Sequence, residues 1–383
     1  MIELAIVAAG VGLIVAACAM DQPWFDRHFL SVFFLSRALY VLGEQLARCF
    51  VALCGLSLIL ARRPLARRAS SWSVVSVALV VGALLLALVA SEFALRMQPF
   101  RPSERDPLRE EPLRRADPLT GWAFVPSRDI HMAVTGRTIR YTFDAHGFRV
   151  PDPQRPVDPT RPSILFAGES IMMGYGLNWE ETVPARVAAH FGTQPANMAV
   201  FGYADDQNLI ALRRELPRFS APKAVIVLFA PGLLFRDFND DRPHLDQQLV
   251  WRPAVPRWRL SRLLDFYIPY HRSMAIDAML DRARRELREE VGLARARGAD
   301  VLVVVPHYGP EDPIEHAIRA RVLDAGQIPY VWVQLDAARR LPNDLHPDPR
   351  GAAMIAAAIS DRLDEQRLAR NAIPVREPLV AAR

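Results

Sequence analysis

Residues 2–19 are apolar except for Glu3, and residues 74–90 form a second apolar run with no charge at all. At a rise of about 1.5 Å per residue, each run comes close to crossing the hydrocarbon core of a bilayer. A backbone in lipid must satisfy its own N–H and C=O groups, so runs of this kind can only fold as helices. The first run has no basic stretch ahead of it and no small-x-small cleavage site, so it reads as an anchor and not as a removed signal. Trp72 stands at the rim of the second run, where indole rings favour the membrane interface.

Between them, residues 29–60 are apolar but carry Arg37, Glu44 and Arg48. The stretch is too long for one simple crossing and reads as an interfacial start followed by a span over 38–60. Glu44 and Arg48 are i,i+4 neighbours, with Arg37 on roughly the same face. Charges inside a membrane point to a functional site by default; the plainer reading is a salt bridge packed against another helix. Arg62, Arg63, Arg67 and Arg68 crowd the loop before the last span, and Arg96, Arg101, Arg105 and Arg109 follow it more thinly. The denser loop is expected on the cytoplasmic side, which places the C-terminal part outside the inner face.

Most of the remaining chain reads as a water-soluble domain. The net charge of +5 is almost wholly arginine, with Lys223 the only lysine. No basic stripe with interleaved aromatics appears, which argues against nucleic acid. Cys18, Cys49 and Cys54 all lie in the apolar region, so no disulfide is expected beyond it. No Cys/His cluster has zinc-ligand spacing, and no metal or other cofactor is expected.

Residues 98–118 are rich in proline, arginine and acids and read as a tether. Strand-like pieces follow at 121–125, 131–134 and 138–143, then a proline-rich join at 151–162. From Ser163 the pattern alternates. Runs of buried-strand type at 164–167, 224–229, 301–305 and 330–334 are separated by helical stretches at 181–191, 205–216, 274–297 and 314–325. A helix rich in small residues closes the series at 349–363. This alternation implies an α/β fold with a parallel sheet covered on both faces. The expected organisation is a membrane region over 1–95, tether and β-rich lead-in over 96–160, an α/β domain over 161–370 and a tail over 371–383.

In such a sheet, sites form at the carboxyl ends of the strands. The first core strand runs straight into Gly168-Glu-Ser170, so Ser170 is delivered to that edge. A serine hydroxyl becomes a useful nucleophile only when a base takes its proton. Far downstream, Asp344-Leu-His346-Pro places a histidine just before the last helix, with a carboxylate able to orient it. The plainer readings are a serine cap on a strand-to-helix turn and an exposed histidine beside a turn-forming aspartate.

Together these segments resemble the SGNH (GDSL-type) hydrolase family, in particular its membrane-anchored bacterial members. The resemblance covers about residues 117–365. Asp117-Pro-Leu-Thr-Gly-Trp and Ile139-Arg-Tyr-Thr-Phe-Asp-Ala-His-Gly-Phe-Arg149 are similar to the lead-in of that subgroup. Ala167-Gly-Glu-Ser-Ile-Met-Met-Gly-Tyr-Gly-Leu resembles the first family block, and Asn197-Met-Ala-Val-Phe-Gly-Tyr the second. Asp344-Leu-His-Pro with Gly351 resembles the last. The resemblance implies a three-layer α/β/α, flavodoxin-like sheet. It also implies Ser170 as nucleophile, His346 as base, Asp344 as its partner, and the N–H groups of Ser170 and Gly202 as oxyanion donors.

The chain departs from the family pattern at three places. Glu169 stands where the family has Asp before the serine, a conservative exchange. Asn343 occupies the family's usual acid position, three residues before the histidine, and Asp344 lies one closer. Gly232 falls where the family places an Asn whose amide donates to the oxyanion. Loss of one such donor typically costs a hundred- to a thousand-fold in rate. Asn239, folding back, and His307, at the end of the 301–305 strand, are the substitutes that the sequence offers. The implied activity is that of a serine esterase on acyl esters of envelope polysaccharide, anchored in the bacterial inner membrane with its domain in the periplasm. Its partners would be an acyl ester or glycan and the lipid itself. Gly232 also admits a degenerate hydrolase that only binds a glycan or partner, and the same serine could serve an acyltransferase.

Overall fold

The computed structural model describes residues 2–28, 37–97, 111–238, 240–255, 258–261, 276–311 and 313–372. The chain divides into two compact units. One contains residues 1–104 with 238–241 and 254–279; the other contains 105–237, 242–253 and 280–383.

The first unit is helical: α1 (Ile2–Ala19), α2 (Gln22–His28), α3 (Arg37–Leu60), α4 (Arg62–Ser70) and α5 (Val74–Met97). Three segments, Ile2–Ala19, Val41–Leu60 and Val75–Met97, are long and apolar enough to cross a membrane. Their outer faces carry exposed Leu46, Phe50, Leu79, Leu86 and Phe93, side chains suited to lipid and not to water. Helices α1 and α3 pack closely. A Cβ on Gly10 would stand 2.7 Å from the Gly55 carbonyl oxygen, and one on Gly55 would stand 2.5 Å from that of Gly10. Two glycines back to back let the backbones meet, as small residues do at helix crossings in lipid.

The expected Glu44–Arg48 bridge has a different form. Arg48 Nε donates to the Ala17 carbonyl at 3.0 Å, so the cation caps the carboxyl end of α1. Glu44 is buried. The Arg37 side chain and the interfacial start expected at 29–36 lie outside the described residues.

The second unit opens with two antiparallel hairpins. Strand β1 (Arg114–Asp117) pairs with β2 (Gly121–Phe124), and β3 (Asp129–Val134) with β4 (Arg137–Thr142). The stretch read as a tether to residue 118 therefore ends in a strand. Its charged sequence hid the fact that Leu113 and Arg114 are buried.

The main sheet contains β5 (Ser163–Ala167), β6 (Gln194–Asn197), β7 (Pro222–Leu228), β10 (Asp300–Tyr308) and β11 (Tyr330–Leu335), all parallel. A small hairpin, β8 (His244–Leu245) with β9 (Trp251–Arg252), stands apart. In space the order is β11-β10-β7-β5-β6. Numbered along the chain, the five strands run 2-1-3-4-5, so the direction of winding reverses beside β5. Four of the five carry a strand signal in the sequence. Strand β6 carries none, because Gln-Pro-Ala-Asn has no β-branched residue; an edge strand tolerates its proline.

Because crossovers are right-handed, reversing direction also switches the face that each helix covers. On one face α7 (Val183–His190) packs on the C-terminal helix Pro349–Ala372, joined by His190 Nε2 and Asp364 Oδ2 at 2.9 Å. That helix continues well past the expected residue 363. Beyond the reversal, α8 (Asp205–Glu215) is tied to the helix Ile276–Ala296 by Arg213 Nε donating to Glu289 Oε1 at 2.7 Å. Between these layers Ile164, Leu165, Phe166, Val225, Ile226, Val303 and Val304 are wholly buried, as both faces of a covered parallel sheet require.

Candidate active site

Strand β5 ends at Ala167, and the chain turns through Gly168 and Glu169 into α6 (Ser170–Met173). The turn demands glycine at Gly168: its φ is +152°, and a Cβ there would lie 2.8 Å from Leu228 Cβ. At the other end Gly174, with φ of +87°, closes the short helix; a Cβ there would press on Thr182 and on the Arg149 guanidinium. Arg149 is buried within the domain. Its Nη1 donates to the Met173 and Gly174 carbonyls at 2.9 and 2.6 Å, and its Nη2 to Leu177 at 2.6 Å. Burial lowers its pKa to about 10, an acidity at which it remains a cation. The turn that carries Ser170 is thus clamped from behind by a residue of the lead-in.

His346 arrives on a tight loop. Arg340 and Pro347 form an antiparallel bridge, and Leu341 N–H donates to the His346 carbonyl at 2.9 Å. Asn343 takes a left-handed φ of 55°, which is common for asparagine and lets the loop reverse. Asp344 Oδ1 accepts from the His346 backbone N–H at 2.8 Å and meets His346 Nδ1 at 2.6 Å. The bond to His346 holds the Asp344 carboxyl below the usual carboxylate range. On the far side of the ring, His346 Nε2 meets Ser170 Oγ at 2.7 Å. The Tyr175 ring lies 4.7 Å from the imidazole, centroid to centroid. Hydroxyl, imidazole and carboxylate therefore form a continuous chain along which a proton can leave the hydroxyl.

Gly202 lies on the neighbouring loop. Val200 N–H donates to the Gly168 carbonyl at 3.1 Å, which draws this loop beside the serine turn. Gly202 has a φ of +84°, and its N–H donates to no described residue. The Ser170 N–H, by contrast, is engaged. It donates to Glu169 Oε2 at 2.7 Å, while Ile171 N–H donates to Glu169 Oε1 at 3.0 Å. Ser170 Oγ also contacts Glu169 Oε2. Glu169 is buried and faces Arg236, whose Nη1 lies 3.9 Å from Oε2. The Glu169 side chain thus reaches the serine itself.

Gly232 lies buried in the turn Pro231–Phe238 after β7 and offers no side chain. Asn239 lies outside the described residues. Both ring nitrogens of His307 are engaged: Nε2 with Glu315 at 2.7 Å and Nδ1 with the Gly309 carbonyl at 3.0 Å. Its ring stacks on Trp332 at 5.0 Å. Among the described residues, no group of three or more His, Cys, Asp or Glu side chains is placed to hold a metal ion.

No protein-family model and no curated protein matches the chain. Solved structures do. A member of the lipolytic protein G-D-S-L family from Veillonella parvula DSM 2008 is 11% identical over 52% of this chain and 96% of its own, with a TM-score of 0.31. Est24, a carbohydrate acetylesterase from Sinorhizobium meliloti, is 13% identical over 54% of this chain and 99% of its own, at 0.33. Est2A, an acetyl xylan esterase from the rumen bacterium Butyrivibrio proteoclasticus, is 11% identical over 56% and 66%, also at 0.33.

Proposed function

We propose that this chain is a membrane-anchored serine esterase that acts on acyl esters outside the cytoplasm. The observation that carries the reading is the chain of contacts Ser170 Oγ, His346 Nε2, His346 Nδ1 and Asp344 Oδ1, with separations of 2.7 and 2.6 Å. It sits at the carboxyl edge of a parallel sheet, beside the strand where the winding reverses. Ser170 Oγ attacks the acyl carbon as His346 Nε2 takes the hydroxyl proton. The carbonyl π pair moves onto oxygen, and the resulting oxyanion meets the Gly202 N–H. Collapse breaks the ester C–O bond, and the departing alkoxide takes the proton from His346. Water then repeats the sequence on the acyl-enzyme, releasing a carboxylic acid and restoring Ser170. Asp344 holds the imidazole in the tautomer that this requires.

The substrate class that we favour is an acyl ester on an envelope polysaccharide. The test uses the full chain in detergent with 4-nitrophenyl acetate and a fluorophosphonate probe. Turnover of the ester and labelling are expected; folded protein that shows neither overturns the reading. One observation favours a binding protein instead: the Ser170 N–H is already occupied by Glu169. That reading gains if the folded protein binds glycan and remains unlabelled.

For the orientation, the arginines of α4 support a cytoplasmic loop between the second and third spans. Fusion of a periplasm-dependent reporter after residue 383 is expected to give activity in cells. Activity only from a cytoplasm-dependent reporter would reverse the topology.

A further inference from the structure

We propose that Arg236 supplies the oxyanion stabilisation that Gly232, lacking a side chain, cannot give. The inference rests on the esterase reading and adds a catalytic residue to it. Gly232 and Arg236 belong to the same turn, Pro231–Phe238, at the carboxyl end of β7. The arginine side chain is only 11% exposed, so its charge acts in a largely dry setting.

Its placement is set by Glu169. Oε2 of that carboxylate takes the Ser170 N–H at 2.7 Å, touches Ser170 Oγ, and lies 3.9 Å from Arg236 Nη1. The carbonyl oxygen of an ester under attack needs the same surroundings: beside the nucleophile, on its amide, and facing a positive charge. In the resting site, Glu169 Oε2 stands in for that oxygen. Arg236 Nη1 also donates to the Tyr203 carbonyl at 3.5 Å, one residue beyond Gly202. The guanidinium thus lies against the loop that carries Gly202.

When an ester binds, its carbonyl oxygen displaces the Glu169 carboxylate from the Ser170 N–H. Arg236 then faces the developing alkoxide. A separation of 3.9 Å is an ion pair and not a direct hydrogen bond, so the cation is near the position without being locked to Glu169. A guanidinium is also always charged and presents several donors, whereas the amide that the family uses there is neutral.

The experiment compares kcat and KM for 4-nitrophenyl acetate, and the rate of fluorophosphonate labelling, in the wild type, R236Q, R236A, G232N and the double variant R236Q/G232N. Thermal melts report folding. R236Q is expected to lose about a hundred- to a thousand-fold in kcat with KM little changed, as removal of an oxyanion donor does. Two signatures separate this from a structural role. Added methylguanidinium is expected to restore R236A at least tenfold. G232N is expected to raise kcat at least tenfold in R236Q while changing the wild type little, because the amide and the guanidinium serve the same oxygen. A kcat for R236Q within threefold of the wild type overturns the inference. So does a loss that neither methylguanidinium nor G232N repairs. Failure of the esterase reading shows separately, as absence of turnover and labelling in the wild type, and takes the inference with it.

Discussion

Ser170→Ala and His346→Ala are each expected to lower kcat/KM for a short acyl ester by on the order of 10⁴ to 10⁶, and the double variant no further. The reason for this non-additivity is the contact chain itself. Without Ser170 the base has nothing to deprotonate, and without His346 the hydroxyl keeps its proton. Asp344→Asn leaves the loop in place but offers Nδ1 an amide where it now meets a carboxylate oxygen at 2.6 Å. The imidazole then loses both its tautomer and its compensating charge, and a loss of about 10² to 10⁴ is expected. Fluorophosphonate labelling followed by mass spectrometry reads the first step alone and should find the label on Ser170. Label at another serine, or Ser170→Ala turning over at the wild-type rate, would remove Ser170 from the mechanism.

The parts of this site that sequence made legible were those carried by local signals. Four buried strands announced themselves as runs such as Val225-Ile-Val-Leu, and a glycine-bounded turn follows the first of them. The Asp344–His346 spacing was readable because the carboxylate and the ring lie on one loop. Contacts made across the fold were not readable. Arg149 is 24 residues from Met173, and nothing in its neighbourhood announces that it holds that carbonyl. Arg236 could have been suspected from its place one turn beyond Gly232, but its approach to Glu169 depends on β5 and β7 being neighbours. Strand β6 escaped for the opposite reason: its backbone pairs with β5 while its side chains, Gln194 and Pro195 among them, carry no strand preference.

Arg242→Met is expected to destabilise the α/β unit by about 3–5 kcal/mol, the usual consequence of stripping one partner from a buried ion pair. Arg242 is 2% exposed, and its Nη1 and Nη2 bind both oxygens of the wholly buried Asp206 at 2.9 and 2.7 Å. Arg282 adds contacts to Asp206 at 3.3 Å and to Glu286 at 2.8 Å. Around these two cations stand five buried carboxyls: Asp205, Asp206, Asp237, Glu286 and Glu290. They cannot all ionise. Burial drives Asp205, Glu286 and Glu290 upward, and takes Asp237 to about 7.

An acid whose folded pKa is raised holds its proton when folded and releases it when unfolded, so between about pH 4 and pH 7 the folded state binds more protons. Stability then falls as pH rises through that window, by on the order of a few kcal/mol for a shift of this kind. Asp129, held down to about 2, and Asp344, also lowered, act below the window and do not mask the effect. The melting temperature of the full chain in detergent should therefore decrease from pH 5 to pH 8, more steeply in Arg242→Met and less steeply in Asp237→Asn. A wild-type melting temperature that climbs over the same range would contradict the assignment. The cluster also bears on the site. Asp237 Oδ1 accepts the Asp205 N–H at the start of α8, just after the Gly202 loop, and Arg242 Nη2 donates to the Arg236 carbonyl at 3.0 Å. Stripping the cation should loosen both the Gly202 loop and the Arg236 turn, so ester turnover in Arg242→Met is expected to fall at temperatures well below its melting point.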